Sequence, residues 1–394
     1  MRNRPLLILL LGLSLSACES AQHQALKAYM SVSKGLVVAD GVQTVQSEAQ
    51  DFDIVALTEE LDFPWGMAFL PNAEVLITEK PGRLLQFNLR TGTSVQIEGV
   101  PTVFHKGQGG LLDVVLHPDF AENQWLYLSM AVPADDGEST TEVHRFRLDG
   151  QSLTDSIPIF RAEPAMDSST HFGCALLFGN DGYLYITMGD RRQRYLAQDL
   201  EAYPGKVFRL KDDGGIPADN PFLEIPGALP GIYTYGHRNP QGITIDRSTG
   251  RIWTSEHGPQ GGDEINELVA GANYGWPVIT YGEEYGGGEI GEGTEKTGME
   301  QPLLYYVPSI ATAGIAYYDG ANLPSWRGDL FVTGLRSFSL SRISFDRRGE
   351  ARDERLLEGF GFRLRDVAQG PDGNLYLLTE NGGLLRLSAP TGRG

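Results

Sequence analysis

Asn180-Asp181-Gly182-Tyr183-Leu184-Tyr185-Ile186 sets a turn directly against an aromatic and β-branched run, and a second such run, Lys206-Val207-Phe208-Arg209, follows across a polar gap. The phrase recurs on both sides. Upstream it reads Pro71-Asn72 with Val75-Leu76-Ile77-Thr78 and then Leu84-Leu85-Gln86-Phe87. It reads again as His117-Pro118-Asp119 with Trp125-Leu126-Tyr127-Leu128 and then Val143-His144-Arg145-Phe146. Downstream come Ser248-Thr249-Gly250 with Arg251-Ile252-Trp253-Thr254, and Trp326-Arg327-Gly328 with Asp329-Leu330-Phe331-Val332 and Leu340-Ser341-Arg342-Ile343. The last is Pro371-Asp372-Gly373 with Asn374-Leu375-Tyr376-Leu377 and Leu384-Leu385-Arg386-Leu387. Runs this short, rich in β-branched and aromatic residues and bounded by turn residues, read as strands. Their spacing of about 55 residues is near the period of propeller blades. The expected fold is therefore all-β, a six-bladed β-propeller of four-stranded antiparallel blades around a central channel, over residues 51–390. A β-sandwich or two stacked barrels also carry short strands at regular spacing, but neither repeats one phrase six times. The longest gap, between the fourth and fifth copies, holds the Gly/Glu-rich loop 282–297. Inter-blade loops on such a rigid scaffold make ligand sites at the channel mouth.

The 394 residues are 41% hydrophobic and 21% charged, an ordinary globular balance, and the 49 glycines and 22 prolines suit a turn-rich β protein. A net charge of -19 leaves no basic stripe to meet phosphates, so nucleic acid is excluded as a partner. At the N-terminus Arg2 and Arg4 precede an apolar run, Leu6 to Leu13, too short to span a bilayer. Leu15-Ser16-Ala17-Cys18 behind it resembles a bacterial lipobox. Residues 1–17 are expected to be a lipoprotein signal peptide, Cys18 a lipid anchor, and 18–50 a polar tether with one short helix over 21–30. An ordinary secretory signal with a chance cysteine is the alternative. The expected location is the periplasm, with Glu19 pointing to the outer membrane. Cys174 is then the one unmodified thiol, so no intramolecular disulfide forms. Its apolar neighbours Phe172, Ala175, Leu176, Leu177 and Phe178 mark it as core.

Between Gly236 and Trp276 the chain is densest in groups that hold ligands: Gly236-His237-Arg238-Asn239-Pro240-Gln241-Gly242, then Glu256-His257-Gly258-Pro259 and Asn273-Tyr274-Gly275-Trp276-Pro277. Polar residues alternating with Gly and Pro form neither a good helix nor a central strand. Arg238 and Asn239 offer a donor fork and an amide to an anionic, carbonyl-rich molecule. The turn at Gly258 and Pro259 can aim backbone carbonyls at a hard cation. His171 follows the polar loop Asp167-Ser168-Ser169-Thr170 at a strand entry, where an imidazole serves either as a general base or as a hydrogen-bonded structural group. Gln108 sits in Gly107-Gln108-Gly109-Gly110-Leu111-Leu112, a pattern that also marks plain turns. Arg363 and Arg365 alternate around Leu364, which puts both guanidiniums on one face, converging on an anion or forming edge salt bridges.

These stretches, in this order, together with His117-Pro118-Asp119-Phe120, His171-Phe172-Gly173, Gly262-Asp263-Glu264-Ile265-Asn266 and Arg363-Leu364-Arg365-Asp366-Val367, carry a resemblance over roughly residues 55–388. The chain resembles the soluble, pyrroloquinoline-quinone (PQQ)-dependent aldose sugar dehydrogenases, the six-bladed-propeller group that includes soluble glucose dehydrogenase. It looks closer to the compact bacterial aldose type than to the glucose type. The resemblance implies an enzyme that oxidises aldoses at C1 to lactones and passes electrons to a periplasmic or membrane acceptor, a quinone or a cytochrome. It implies His171 as the base on the C1 hydroxyl, and Arg238 and Asn239 as donors to the quinone oxygens. It further implies Gln108, Arg336, Arg363 and Arg365 on the cofactor's carboxylates or ring oxygens, with Tyr285 lining the site. The carbonyls of Gly258 and Pro259 would hold a Ca²⁺ at the quinone, and Glu264 with the Tyr274 carbonyl a second, structural Ca²⁺.

Two positions depart from the glucose type: Arg336 replaces a Lys, and Thr170 replaces an Asp before the histidine. A non-catalytic ligand- or partner-binding propeller is the first alternative function, but a degraded site would have lost some of His171, Arg238, Asn239 and the paired arginines. A Ca²⁺-dependent lactonase is the second, and it needs a ring of metal-binding carboxylates where only Glu264 is evident.

Overall fold

The computed structural model describes residues 41–391; the expected signal peptide, Cys18 and the 21–30 helix lie outside the described residues. The strands pair into six antiparallel sheets, the blades of a six-bladed β-propeller. Blade one is Pro64–Leu70, Glu74–Glu79, Arg83–Asn88 and Ser94–Ile97. Blade two is Leu111–Leu116, Trp125–Pro133, Ser139–Asp149 and Ser152–Arg161. Blade three is Gly173–Phe178, Leu184–Met188, Lys206–Leu210 and Ile232–Tyr235, and blade four is Pro240–Ile245, Ile252–Glu256, Asp263–Glu267 and Leu304–Tyr306. Blade five is Thr312–Tyr317, Leu330–Gly334, Ser339–Phe345 and Ala351–Leu356. Blade six takes Leu364–Gln369, Leu375–Thr379 and Leu384–Ser388 from the C-terminal end and its fourth strand, Phe52–Thr58, from the N-terminal end. Gln43–Val45, within the segment expected to be tether, pairs outside Phe52–Thr58 as a fifth strand.

The repeated phrase marks the second and third strands of the blades. The second strands are buried on both faces, as in Leu184–Met188, Ile252–Glu256, Leu330–Gly334 and Leu375–Thr379. They therefore read as continuous apolar runs rather than alternating ones. Each first strand lies against the first strand of the next blade, and the ring closes from Leu364–Gln369 back to Pro64–Leu70. Hydroxyls on the second strands fasten neighbouring blades. Thr78 donates to Leu112 O, Ser129 to Cys174 O (2.7 Å), Thr187 to Pro240 O (2.9 Å), Ser255 to Ala313 O (2.5 Å) and Thr333 to Arg365 O (3.2 Å). Cys174 is a fully buried free thiol, as expected.

Every first strand slips register near its start, between Pro64 and Met67, Leu111 and Val114, Gly173 and Leu176, Pro240 and Gly242, Thr312 and Ile315, and Leu364 and Asp366. Such bulges re-aim side chains beside functional sites. Residues just before a first strand and just after a second strand share one end of the channel. Gln108, His171, Arg238, Asn239 and Arg363 precede first strands, and Gly258, Pro259 and Arg336 follow second strands. Arg365 instead lies in a first strand, Glu264 in a third strand, and Tyr274 and Tyr285 in the loop between the third and fourth strands of blade four.

Candidate active site

His171 stands two residues before the first strand of blade three and is 5% exposed. Its backbone is left-handed (φ 54°) and its N–H donates to Gln108 Oε1 at 2.7 Å. Gln108 therefore holds the backbone of His171, and its NH₂ is the group it retains for a ligand. His171 Nδ1 lies 2.7 Å from Asp190 Oδ1. An ionised carboxylate only accepts, so Nδ1 carries the proton and the Nε2 lone pair is left for the pocket. Asp190 follows the second strand of the same blade and also accepts from Trp276 Nε1 (2.9 Å) and the Arg192 N–H (2.8 Å). Burial opposes its charge, but the His171 hydrogen bond and Arg238 hold it below the usual carboxylate range. For His171 the balance is opposite. Burial lowers its pKa, Asp190 acts to raise it, and the net direction is down, toward the neutral form a base needs.

Asp190 was not singled out in the sequence. The departure at Thr170 left the histidine without an adjacent acid, and Asp190 occupies that role from 19 residues further along the chain. Gly189 permits it, because a Cβ there would fall on His171 O and 2.7 Å from Asn239 Oδ1. The loop that carries His171 is tied by buried Arg191, whose guanidinium donates to Thr170 O (3.2 Å), Ser139 Oγ (2.9 Å) and Ser168 O and lies 3.9 Å from the Phe172 ring centroid.

Arg238 and Asn239 precede the first strand of blade four, both buried. Arg238 donates to His257 O at 3.0 Å, stands over the Trp276 ring, and shares one pocket with His171, Asp190, Arg192, Arg194, Pro259, Trp276, Glu284 and Tyr285. Asn239 Oδ1 accepts the Gly173 N–H at 3.1 Å, which leaves its NH₂ to donate. Tyr285, 65% exposed, stands at the rim. Arg194 reaches Glu284 through both guanidinium nitrogens, at 2.5 and 3.2 Å, and so joins the loop after blade three's second strand to the 282–297 loop.

Arg363 and Arg365 converge as their alternation predicts, but on a residue the sequence reading had passed over. Both bond Glu380, which follows the second strand of blade six. Burial would raise Glu380, yet the charges of Arg365 and Arg363 hold it at about 2. Arg365 also donates to Gln241 Oε1 (3.0 Å) and lies 4.1 Å from the Trp65 ring centroid, and its buried Nε has no partner. Lys80, also unremarked in the sequence, stands near this cluster, its pKa lowered by burial and by Arg365 and Arg363 against the pull of Glu380. Arg336 is exposed at the end of blade five's second strand. Among Arg238, Arg365, His171 and Arg363 lies His257. Burial and those four neighbours push it well below the ordinary imidazole range. This end of the channel holds more cations than its acids neutralise.

The Gly258-Pro259 turn follows the second strand of blade four. Asp263 accepts the Gly258 N–H at 2.9 Å and is itself anchored by Ser309 Oγ and the Ala311 N–H, each 2.6 Å. A Cβ on Gly258 would collide with the carbonyl oxygens of Gly261 and Gly262. Among the described residues neither the Gly258 nor the Pro259 carbonyl accepts a hydrogen bond. Glu264 faces Glu256 across the strand pair, and burial with that facing charge pushes it up to about 8. Glu256 holds His237 Nδ1 at 2.8 Å, and the His237 ring stacks on Tyr274 at 4.6 Å, so Glu264 and Tyr274 flank one buried patch. The Tyr274 hydroxyl is committed to Glu267 O at 2.5 Å, which leaves its carbonyl as the candidate ligand.

A buried His171–Asp190 pair, a cation-rich channel mouth and a turn with unbonded carbonyls thus meet at one end of the six-bladed propeller. Residues 61–386 match the family model of glucose/sorbosone dehydrogenases, and the chain belongs to that family. It is 43% identical to aldose sugar dehydrogenase YliI of Escherichia coli (strain K12), over 85% of this chain and 92% of that protein. The crystal structure of the soluble aldose sugar dehydrogenase of Escherichia coli in its apo form superposes with a TM-score of 0.82 at 42% identity, covering 86% of this chain and all of the other. The PQQ-bound aldose sugar dehydrogenase of Streptomyces coelicolor superposes with a TM-score of 0.72 at 29% identity, covering 88% and 98%.

Proposed function

We propose that this protein oxidises aldoses at C1 to lactones with PQQ as its cofactor and Ca²⁺ as its metal. The observation that carries the reading is the His171–Asp190 pair opening on the pocket that Arg238 lines. The residues fit the cofactor. It is a tricarboxylate, and Arg363, Arg365 and Arg336, the orphaned Arg365 Nε and the crowded His257 together leave an unneutralised positive site for it. Gln108 and Asn239 each keep an NH₂ free for its oxygens. The Gly258 and Pro259 carbonyls fit a hard cation, and Glu264 facing Glu256 fits a second one beside the Tyr274 carbonyl. When bound, the quinone supplies the hydride acceptor and Ca²⁺ polarises it.

The chain's own residues do the rest. His171 Nε2 takes the proton of the C1 hydroxyl, and Asp190 stabilises the imidazolium that results. Arg238, desolvated and fixed between His257 O and Trp276, is preorganised to meet negative charge as it develops. Tyr285 and the Arg194–Glu284 bridge border the entry and limit water. The leader and Cys18 support export to the periplasm and a lipid anchor in the outer membrane, with a quinone or a cytochrome there as electron acceptor.

The test is direct. Apo-protein is mixed with PQQ and Ca²⁺, and an artificial dye acceptor is followed as each of a panel of aldoses is added. Dye reduction that needs all three of quinone, Ca²⁺ and sugar supports the assignment. A quinone spectrum unchanged by every aldose overturns it.

A further inference from the structure

One cation of the pocket is used neither by the reaction above nor by the fold. Arg191 and Arg192 are consecutive left-handed residues, φ 50° and 66°, a conformation L side chains avoid and glycine adopts freely. Strain of this kind, kept at a pocket, points to function. At Arg191 four hydrogen bonds to residues 139–170, two of them buried, offset it. Arg192 has no comparable anchorage. It is exposed, and its guanidinium makes a single hydrogen bond, Nε to Thr170 Oγ1 at 3.2 Å.

The pocket's acids are engaged elsewhere. Asp190 holds His171 and Trp276, and Glu284 gives both oxygens to Arg194. Arg238 is bound to His257 O and faces the cofactor residues. Among the described residues the Arg192 guanidinium forms no ion pair, although the chain as a whole carries a net charge of -19. Its backbone N–H bonds the same Asp190 Oδ1 that holds the base, so its position is fixed relative to His171. A sugar held with its C1 hydroxyl at His171 directs its far end into the remainder of this pocket, which Arg192 lines. A guanidinium fork there matches a planar carboxylate or a phosphate group.

We propose that Arg192 makes the protein select anionic aldoses, sugars whose far end carries a carboxylate or a phosphate ester, over their neutral parents. The inference rests on the dehydrogenase reading above and names its substrate class.

The experiment compares kcat/KM of the holoenzyme for glucose, glucuronate and glucose 6-phosphate, and for galactose and galacturonate, in the native protein, Arg192→Gln and Arg192→Gly. Glycine suits the left-handed backbone, so that variant folds. At low ionic strength the native protein favours at least one anionic series over its neutral parent by about tenfold, the worth of one charge-assisted contact. The carboxylate and phosphate arms identify which anion is taken. Raised salt and both substitutions bring the ratio close to one, and the change lies in KM for the anionic sugar. Neutral sugars oxidised as well as or better than both anionic series overturn the inference alone. So does a ratio unchanged in both variants, or weaker quinone affinity in both with the sugar ratio intact. Failure to oxidise any aldose overturns the dehydrogenase reading, and this inference with it.

Discussion

At the scale of single residues, Asp190 sets both the aim and the proton affinity of His171. Replacing His171 with Ala removes the proposed base and none of the residues proposed to hold the cofactor. We expect quinone titration of the apo-protein to be retained while turnover falls about 10²- to 10⁴-fold; full activity would place the base elsewhere. Asp190→Asn tests the pair more finely. Burial lowers the His171 pKa and Asp190 raises it, so losing the carboxylate drops it further. The neutral, competent form then persists to lower pH, and the acidic limb of the kcat profile shifts downward while its plateau falls. A plateau loss with an unmoved limb would show that Asp190 only shapes the loop. Residues of this scale were legible where the chain announces them. His171 ends a polar loop, and Arg238 and Asn239 stand in a loop with Gly and Pro that is unsuited to a strand, so their polar groups need a purpose there. Asp190 and Glu380 are plain acids after apolar runs. Their roles arise from the register of a neighbouring strand and from blade geometry, which no local pattern encodes.

At the scale of elements, second and third strands were readable because burial on both faces makes them continuous apolar runs behind a turn. The first strands of blades four and five were not. Pro240-Gln241-Gly242 and Thr312-Ala313-Gly314 are small or polar because the channel and the next blade crowd them, and Gly314 touches Asp366. Outer strands such as Ala351–Leu356 are half exposed and mostly charged. Strand pairing also sets two acids side by side, Glu264 opposite Glu256. With a folded-state value near 8 against an ordinary 4.5, Glu264 holds a proton in the folded chain that the unfolded chain releases. Metal-free stability is then complete below about pH 4.5 and declines as pH rises toward about 8. Added Ca²⁺ should reverse that decline, raising the Tm by several degrees at the alkaline end. Glu264→Gln should abolish both the decline and the Ca²⁺ response of this patch. A native Tm indifferent to Ca²⁺ throughout this pH window would leave Glu264 without a cation.

At the scale of the whole molecule, six blades that each carry their own strands would leave an open ring, and an open sheet edge invites mispairing. The chain closes the ring by lending blade six a strand from its other end, so that Phe52–Thr58 pairs along Leu384–Ser388 from Asp53 with Ser388 to Thr58 with Leu384. The repeat predicted six blades but not this closure, because Phe52-Asp53-Ile54-Val55 lacks the turn that precedes every other copy. Closure joins the ends, and the proposed site draws on both blades that it joins. Glu380, Arg363 and Arg365 come from blade six, while Trp65 beneath Arg365 and nearby Lys80 come from blade one. Ile54 is the residue on which to measure this coupling. It is fully buried, pairs with Leu387, and packs in a cluster with Phe52, Trp326, Leu385 and Leu387. Ile54→Ala should cost about 2–5 kcal/mol, read from the urea midpoint of the apo-protein. Val95→Ala, on the outer strand of blade one at 40% exposure, should cost about 0.5 kcal/mol or less. If closure couples the blades, Ile54→Ala also lowers quinone affinity, through the Arg365–Trp65 seam between blades six and one, and Val95→Ala does not. Equal costs for the two substitutions, or an Ile54→Ala protein that binds quinone with native affinity, would mean that the ring holds its active site without the borrowed strand.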